Sequence, residues 1–176
     1  MIFQQLAISG AYLVTPKEIH DDRGFFARTW DGQEFATHGL TDRLSQCSIS
    51  FNHRHGTLRG MHYQAPPYGE VKLVRCTAGA IYDVIVDVRS ASPTFRQWVA
   101  VELTAVSRQA LYIPIGIAHG FLTLAADTEV FYQMTGDYRA DAAQGLRWND
   151  PVFGIEWPQV PLVINDRDRQ YPNFLV

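Results

Sequence analysis

The middle of the chain carries no helical apolar repeat of any length. It is built instead of short β-branched runs separated by turn residues. Segments 71–77, 81–88 and 98–103 are parted by Gly79 and by a polar stretch at 90–94. Further runs at 111–114, 120–124 and 129–134 follow, and 11–16, 25–30 and 45–51 precede them. Short strands at near-regular spacing, with turn signals between them, predict an all-β sandwich or barrel. Residues 20–24 read as a polar turn and 52–56 as a turn-rich connection. Residues 31–39 read as one short helix with Gly39 near its C-cap. No linker, internal repeat or low-complexity run interrupts 1–176, so a single domain is expected.

Within this pattern, Gly-Thr-Leu-Arg-Gly-Met-His-Tyr-Gln at 56–64 is unusual. Arg59 and His62 are three residues apart, which on a regular strand sends them to opposite faces. Gly60 between them is a natural place for a bulge that re-aims one of the two. A cation and a proton carrier would then share a pocket, as an anionic substrate undergoing proton transfer requires. The plain alternative is a surface arginine and a satisfied core histidine.

Lys72 sits in Glu-Val-Lys-Leu-Val-Arg-Cys, a run otherwise suited to burial. An interior lysine is costly unless it meets a carboxylate or a developing oxyanion, and Asp83 and Asp87 are candidate partners. Alternatively, Lys72 lies at an edge and snorkels outward. Tyr132 and Tyr138 are packing residues or, opposite a histidine base, a source of protons. The charged run Asn165-Asp-Arg-Asp-Arg169 is either a solvated turn or a segment folded back to supply a carboxylate.

Six histidines raise the question of metal. His53 and His55 form an HxH pair in a turn, with no carboxylate at a regular spacing downstream. Pro-Ile-Gly-Ile-Ala-His at 114–119 resembles the second metal motif of cupins, but His62 stands alone where the first motif needs a pair. With Lys72 nearby, the reading is no metal. The net charge of -3 and pI near 6.0 argue against nucleic-acid binding. Cys47 and Cys76 have no zinc or CxxC spacing, and neither a signal peptide nor a membrane-length apolar run is visible. A cytoplasmic protein with reduced thiols is the expectation.

Taken in order, the motifs resemble those of the dTDP-4-dehydrorhamnose 3,5-epimerase family, whose fold is a cupin-type jelly roll with short peripheral helices. They are Asp22-Arg-Gly-Phe-Phe26, Leu58-Arg-Gly-Met-His-Tyr-Gln64, Lys72-Leu-Val-Arg75 and Asp83-Val-Ile-Val-Asp87. Ser92-Pro-Thr-Phe95, Ile113-Pro-Ile-Gly-Ile-Ala-His-Gly-Phe121, Trp148-Asn-Asp-Pro151 and Gly154-Ile-Glu-Trp-Pro158 continue the set.

The resemblance implies epimerisation at carbon 3, carbon 5 or both of a nucleotide-linked 4-keto-6-deoxy sugar, without a cofactor. It makes His62 the base, Asp168 its orienting carboxylate, Lys72 the enolate-stabilising cation and Tyr132 the acid on the opposite face. Arg23, Arg59, His119 and Arg167 match ligand-binding positions, and Tyr138 matches the aromatic that stacks on the nucleobase. It also implies a homodimer, whose strand exchange would cover exposed edges.

Cys47 and Ile49 stand where the rhamnose-pathway enzymes carry glutamine and asparagine, and Arg28 and Ala143 replace two glutamates. These departures point to a nucleotide other than dTDP, with CDP a candidate. A keto-sugar 3,4-isomerase, a metal-dependent cupin enzyme and a non-catalytic sugar-binding cupin are the alternatives. Lys72 and Tyr132 fit epimerisation better than isomerisation, and a binding module has no use for an interior acid–base set.

Overall fold

The computed structural model describes residues 1–175. Six strands, β1 (Ile2–Gln5), β2 (Tyr12–Thr15), β5 (Gln46–Asn52), β7 (Lys72–Ala78), β10 (Ala110–Ile113) and β12 (Thr128–Met134), form one sheet in the order β1-β2-β10-β7-β12-β5. The facing sheet runs β13-β6-β11-β8-β9, from β6 (Thr57–Gln64), β8 (Ala80–Asp87), β9 (Trp98–Thr104), β11 (Ile117–Thr123) and β13 (Ala143–Gly145). The short β14 (Val163–Ile164) adds to β6 in parallel. A separate hairpin, β3 (Glu18–Asp21) with β4 (Gly24–Ala27), stands outside both sheets. The two sheets make a β-sandwich of the cupin type.

Strand alternation explains how one sandwich holds both a core and a site. Val74 and Cys76 of β7, Ile81 and Ile85 of β8, Phe121 of β11 and Val130 of β12 fill the space between the sheets. Two residues along those same strands stand Lys72, Asp83, His119 and Tyr132. On β7 and β12 the polar residue stands toward the end where the site lies, while on β8 and β11 Asp83 and His119 are set between apolar inward residues on either side.

The outer faces are covered unequally. Phe35, from helix α1 (Gly32–Thr37), packs with Val14, Leu73 and Tyr112 on the outer side of the first sheet. Asp31 caps this helix by accepting from the Glu34 N–H, and Gly39 beyond its end takes φ +70°, so the short-helix expectation holds. Leu146, Phe153, Trp157 and Phe174 cover the outer side of the second sheet.

Several local expectations need correction. The polar turn expected at 20–24 is half strand, because His20 and Asp21 pair with Phe25 and Gly24 in the hairpin. The charged run at 165–169 is not a turn but the start of helix α2 (Asp166–Gln170), capped by the Asn165 side chain. β1, β13 and β14 lie where no strand was expected.

Candidate active site

The bulge expected at Gly60 is present. His119 pairs with His62 and Phe121 with Arg59, so Gly120 on β11 faces both Gly60 and Met61 on β6. The extra residue brings Arg59 and His62 to the same side. Gly60 has φ +138°, and a β-carbon there would land on the Gly120 Cα. Only glycine permits this approach.

A cavity of about 390 Å³ opens at this end of the sandwich. Eight of the residues singled out in the sequence line it: His62, Tyr132, Asp168, Lys72, Arg59, His119, Tyr138 and Arg167. His62, His119 and Arg59 come from one sheet, and Lys72 and Tyr132 from the other. Asp168 reaches in from α2 and is completely buried. One Asp168 oxygen lies 2.7 Å from His62 Nε2, and the other accepts the Gly60 N–H at 3.1 Å. The carboxylate thus fixes both the histidine ring and the bulge that aims it.

His119 is held similarly, its Nε2 2.6 Å from Asp83 Oδ1. Burial pushes the Tyr132 phenol well above the usual tyrosine range, so it remains protonated at neutral pH. At the cavity mouth, the Arg167 guanidinium lies over the Tyr171 ring, 5.8 Å from its centroid, and Arg59 donates from Nε to Asn52 Oδ1 at 2.7 Å.

Two expectations need correction in detail, and Arg23 stands apart from the other matched residues. Lys72 does not pair with Asp83 or Asp87. Asp83 is engaged by His119, and Asp87 is caged by Arg89, Ser92 and Thr94. The partner is Glu70, 3.3 Å away, which comes from the loop before β7 and carries no strand-pattern signal. Snorkelling also fails, since Lys72 is 7% exposed.

Arg23 does not reach the cavity of its own chain; it pairs with Asp21 at the exposed tip of the β3–β4 hairpin. Arg28 likewise lies away from the cavity and pairs with Asp31.

Cys47 does not mark a loss of polar groups from the site, whereas Ile49 borders the cavity. Ser48 pairs with Tyr132 and faces inward with it, whereas Cys47 pairs with Gln133 on the opposite face of the sheet; Ile49, opposite Phe131, is exposed and borders the cavity. The inward residues of β5 are Gln46, Ser48 and Ser50, which line the cavity beside Tyr132. The sequence had shown them as an alternation of polar residues, and it was the register that sequence reasoning missed. Ala143 does line the cavity.

His53 packs edge-on to Phe51, and no three His, Cys, Asp or Glu side chains converge as a metal set among the described residues. No helix among them is long and apolar enough to cross a membrane.

A profile of the dTDP-4-dehydrorhamnose 3,5-epimerase family matches residues 5–175. The dTDP-4-dehydrorhamnose 3,5-epimerase of Sinorhizobium fredii is 41% identical over 98% of this chain and 89% of its own length. The Bacillus anthracis enzyme of that name, solved with TDP and pyrophosphate bound, superposes with a TM-score of 0.94 at 39% identity, covering 98% of this chain and 99% of that one. A 3'-monoepimerase from Streptomyces bikiniensis in complex with dTDP-quinovose superposes at 0.89 with 33% identity, covering 97% and 86%. The chain belongs to the dTDP-4-dehydrorhamnose 3,5-epimerase family.

Proposed function

We propose that this protein epimerises a dTDP-linked 4-keto-6-deoxy sugar at the carbons beside its keto group, through an enolate. The observation that carries the reading is the placement of base and acid on opposite walls. His62, with its buried carboxylate, comes from one sheet, and Tyr132 with Lys72 from the other.

The 4-keto group acidifies the hydrogens on carbons 3 and 5. Donation of the His62 Nε2–H to Asp168 leaves Nδ1 with its lone pair, and this nitrogen takes the proton from carbon. Negative charge then moves onto the keto oxygen, where the Lys72 ammonium stabilises it. Tyr132 delivers its proton to the other face of the planar enolate and inverts the centre. Exchange with solvent returns a proton to Tyr132 and removes one from His62, so no redox step is required. In this reading Arg59 and Arg167 serve the diphosphate and Tyr138 the base; all three line the cavity.

The relatives' bound nucleotides favour dTDP. The case for CDP rested on Cys47, Ile49, Arg28 and Ala143; Cys47 and Arg28 lie away from the cavity, while Ile49 and Ala143 border it. The protein is expected to act in the cytoplasm, where Cys47 and Cys76 remain the free thiols seen here.

We also propose that the enzyme works as a homodimer. Edge strand β5 exposes Ile49 at 62%, and the β3–β4 hairpin exposes Phe26 at 68%. Arg23 sits at that hairpin's tip, so it can serve a sugar nucleotide only in a second copy's cavity.

The test is incubation in D2O with dTDP- and CDP-4-keto-6-deoxyglucose separately, following the carbon 3 and carbon 5 protons by NMR. Exchange at both carbons with the dTDP sugar is expected. Exchange at one carbon would make the enzyme a mono-epimerase, preference for CDP would reverse the nucleotide assignment, and no exchange with either sugar would overturn the reading.

A further inference from the structure

Lys72 ends in a setting that its strand alone does not explain. Its side chain is 9% exposed, and its ammonium lies 3.3 Å from Glu70 Oε1. It also donates to the His62 carbonyl oxygen at 3.2 Å. Glu70 is equally enclosed although it belongs to neither sheet.

Gln64 holds Glu70 there. Its Nε2 donates to Glu70 Oε2 at 3.2 Å and to the carbonyl oxygens of Tyr68 and Asp137 at 3.1 and 3.3 Å. Its Oε1 accepts the Arg139 N–H at 2.7 Å. One buried amide, two residues beyond His62, therefore ties Glu70 to the segment that carries Tyr138.

The other titratable groups around Lys72 have separate engagements. Asp168 on α2 bonds to His62 and to Gly60 of β6. Asp83 on β8 bonds to His119 of β11, while its second oxygen is buried without a partner. Tyr132 stands on β12. Burial pushes the Lys72 ammonium down, opposed first by Glu70 and then, at longer range, by Asp83. Glu70 is the carboxylate in direct contact.

We propose that Glu70 is a positioning residue for the epimerisation: locked by Gln64, it keeps Lys72 protonated and aimed at the oxygen of the enolate. A neutral amine there would offer no charge to the oxyanion, and an untethered one would have to be reoriented in each turnover. The inference rests on the reading of Lys72 as the oxyanion-stabilising group.

The chain permits a direct test, because Lys17 and Lys72 are its only lysines. Lys17 is exposed and remote from the cavity. In a Lys17→Arg background, the one lysine side-chain 13Cε resonance reports the titration of Lys72 alone. Glu70→Gln preserves the size of the side chain and an acceptor oxygen but removes the charge. The Lys72 midpoint is expected to fall by about one pH unit or more. kcat is expected to fall roughly 10- to 100-fold with KM within about threefold, and the alkaline limb of the kcat profile to move down with the midpoint.

Glu70→Asp, which withdraws the carboxylate by one methylene, should be intermediate in both readouts and carries the test if Glu70→Gln does not fold. An unchanged midpoint and alkaline limb, or a loss confined to KM, overturns the proposal. Lys72→Met separates the two layers. If it is inactive while Glu70→Gln behaves as wild type, the Glu70 role alone falls; if Lys72→Met turns over normally, the reading of Lys72 falls and takes this inference with it.

Discussion

His62 and His119 are direct cross-strand partners on β6 and β11, and each rests its Nε2 against a buried carboxylate. The two pairs differ in access: the His62 side chain is 40% exposed and that of His119 is 4% exposed. Only His62 presents its second nitrogen broadly to the cavity, which suits it to proton abstraction. Asp168→Asn places an amide N–H against Nε2 and favours the opposite tautomer, with the proton on Nδ1. kcat should fall about 10²- to 10⁴-fold while nucleotide affinity changes less than about threefold. Steady-state kinetics with calorimetric binding of dTDP checks this, and equal losses in both would remove Asp168 from the chemistry.

Tyr132→Phe separates proton removal from inversion. Burial raises the pKa of the phenol, so it stays protonated at neutral pH and has a proton to give. Without it, His62 can still remove and return a proton on its own side. In D2O the variant should exchange deuterium into the sugar with retained configuration, while net epimerisation falls about 10²-fold or more. NMR of the recovered sugar distinguishes this from a simple loss of activity. Inversion at the wild-type rate would exclude Tyr132 as the acid.

The crossing of β6 and β11 at Gly60 and Gly120 gives a stability prediction. A side chain at Gly60 must take φ +138° and meet the Gly120 backbone. A side chain at Gly120 places its β-carbon 2.6 Å from the Met61 Sδ. Gly60→Ala should cost about 3 kcal/mol or more, because backbone rather than a flexible tip must move. Gly120→Ala should also destabilise, because even with Met61 turned aside its β-carbon lies 2.9 Å from the Arg59 carbonyl oxygen, which is backbone. Denaturant melts measure both, and a neutral Gly60→Ala would mean that the bulge is not needed.

Much of this architecture was legible in the residues, and the exceptions have physical causes. The long strands announced themselves through β-branched alternation, and Gly60 could be flagged as a bulge because Arg59 and His62 break the period of two. β1, β13 and β14 lie at sheet edges, where too few residues repeat to give a pattern. Asp168 could be suspected, but its burial depends on Asn165 capping a short helix. Glu70 was missed because contact with Lys72 is set by a loop and by Gln64, neither of which has a period. Arg23 was matched to ligand binding, yet its hairpin leads away from the cavity, a relation that one chain's sequence cannot express.

Asp87 carries a pH prediction. Burial alone would raise its carboxyl, but hydrogen bonds from Arg89, Ser92 and Thr94 outweigh that and hold it at about 2. In the unfolded chain the group titrates near the ordinary value of about 3.9. Because the folded pKa is the lower one, the contribution to stability is present above about pH 4 and is lost as pH falls toward about 2. Asp87→Asn should therefore destabilise the protein by about 1–3 kcal/mol at pH 7, with the gap to wild type narrowing between about pH 4 and 2. Urea melts across that window test it; a constant gap would assign the loss to packing.

The position of Arg23 makes the homodimer testable through activity rather than mass alone. His62→Asn removes the base from its own cavity but leaves its hairpin intact. Arg23→Ala leaves the base intact but removes the hairpin cation. If the hairpin serves the second copy, each variant alone is impaired, and a mixed dimer holds one complete site: the Arg23→Ala chain's cavity served by the other chain's Arg23. Random re-pairing of equal amounts makes about half the dimers mixed, so refolding the two together should recover about a quarter of wild-type activity. Mixing without exchange of subunits should recover none. No recovery after refolding, from variants that both form dimers, would place Arg23 outside the site altogether.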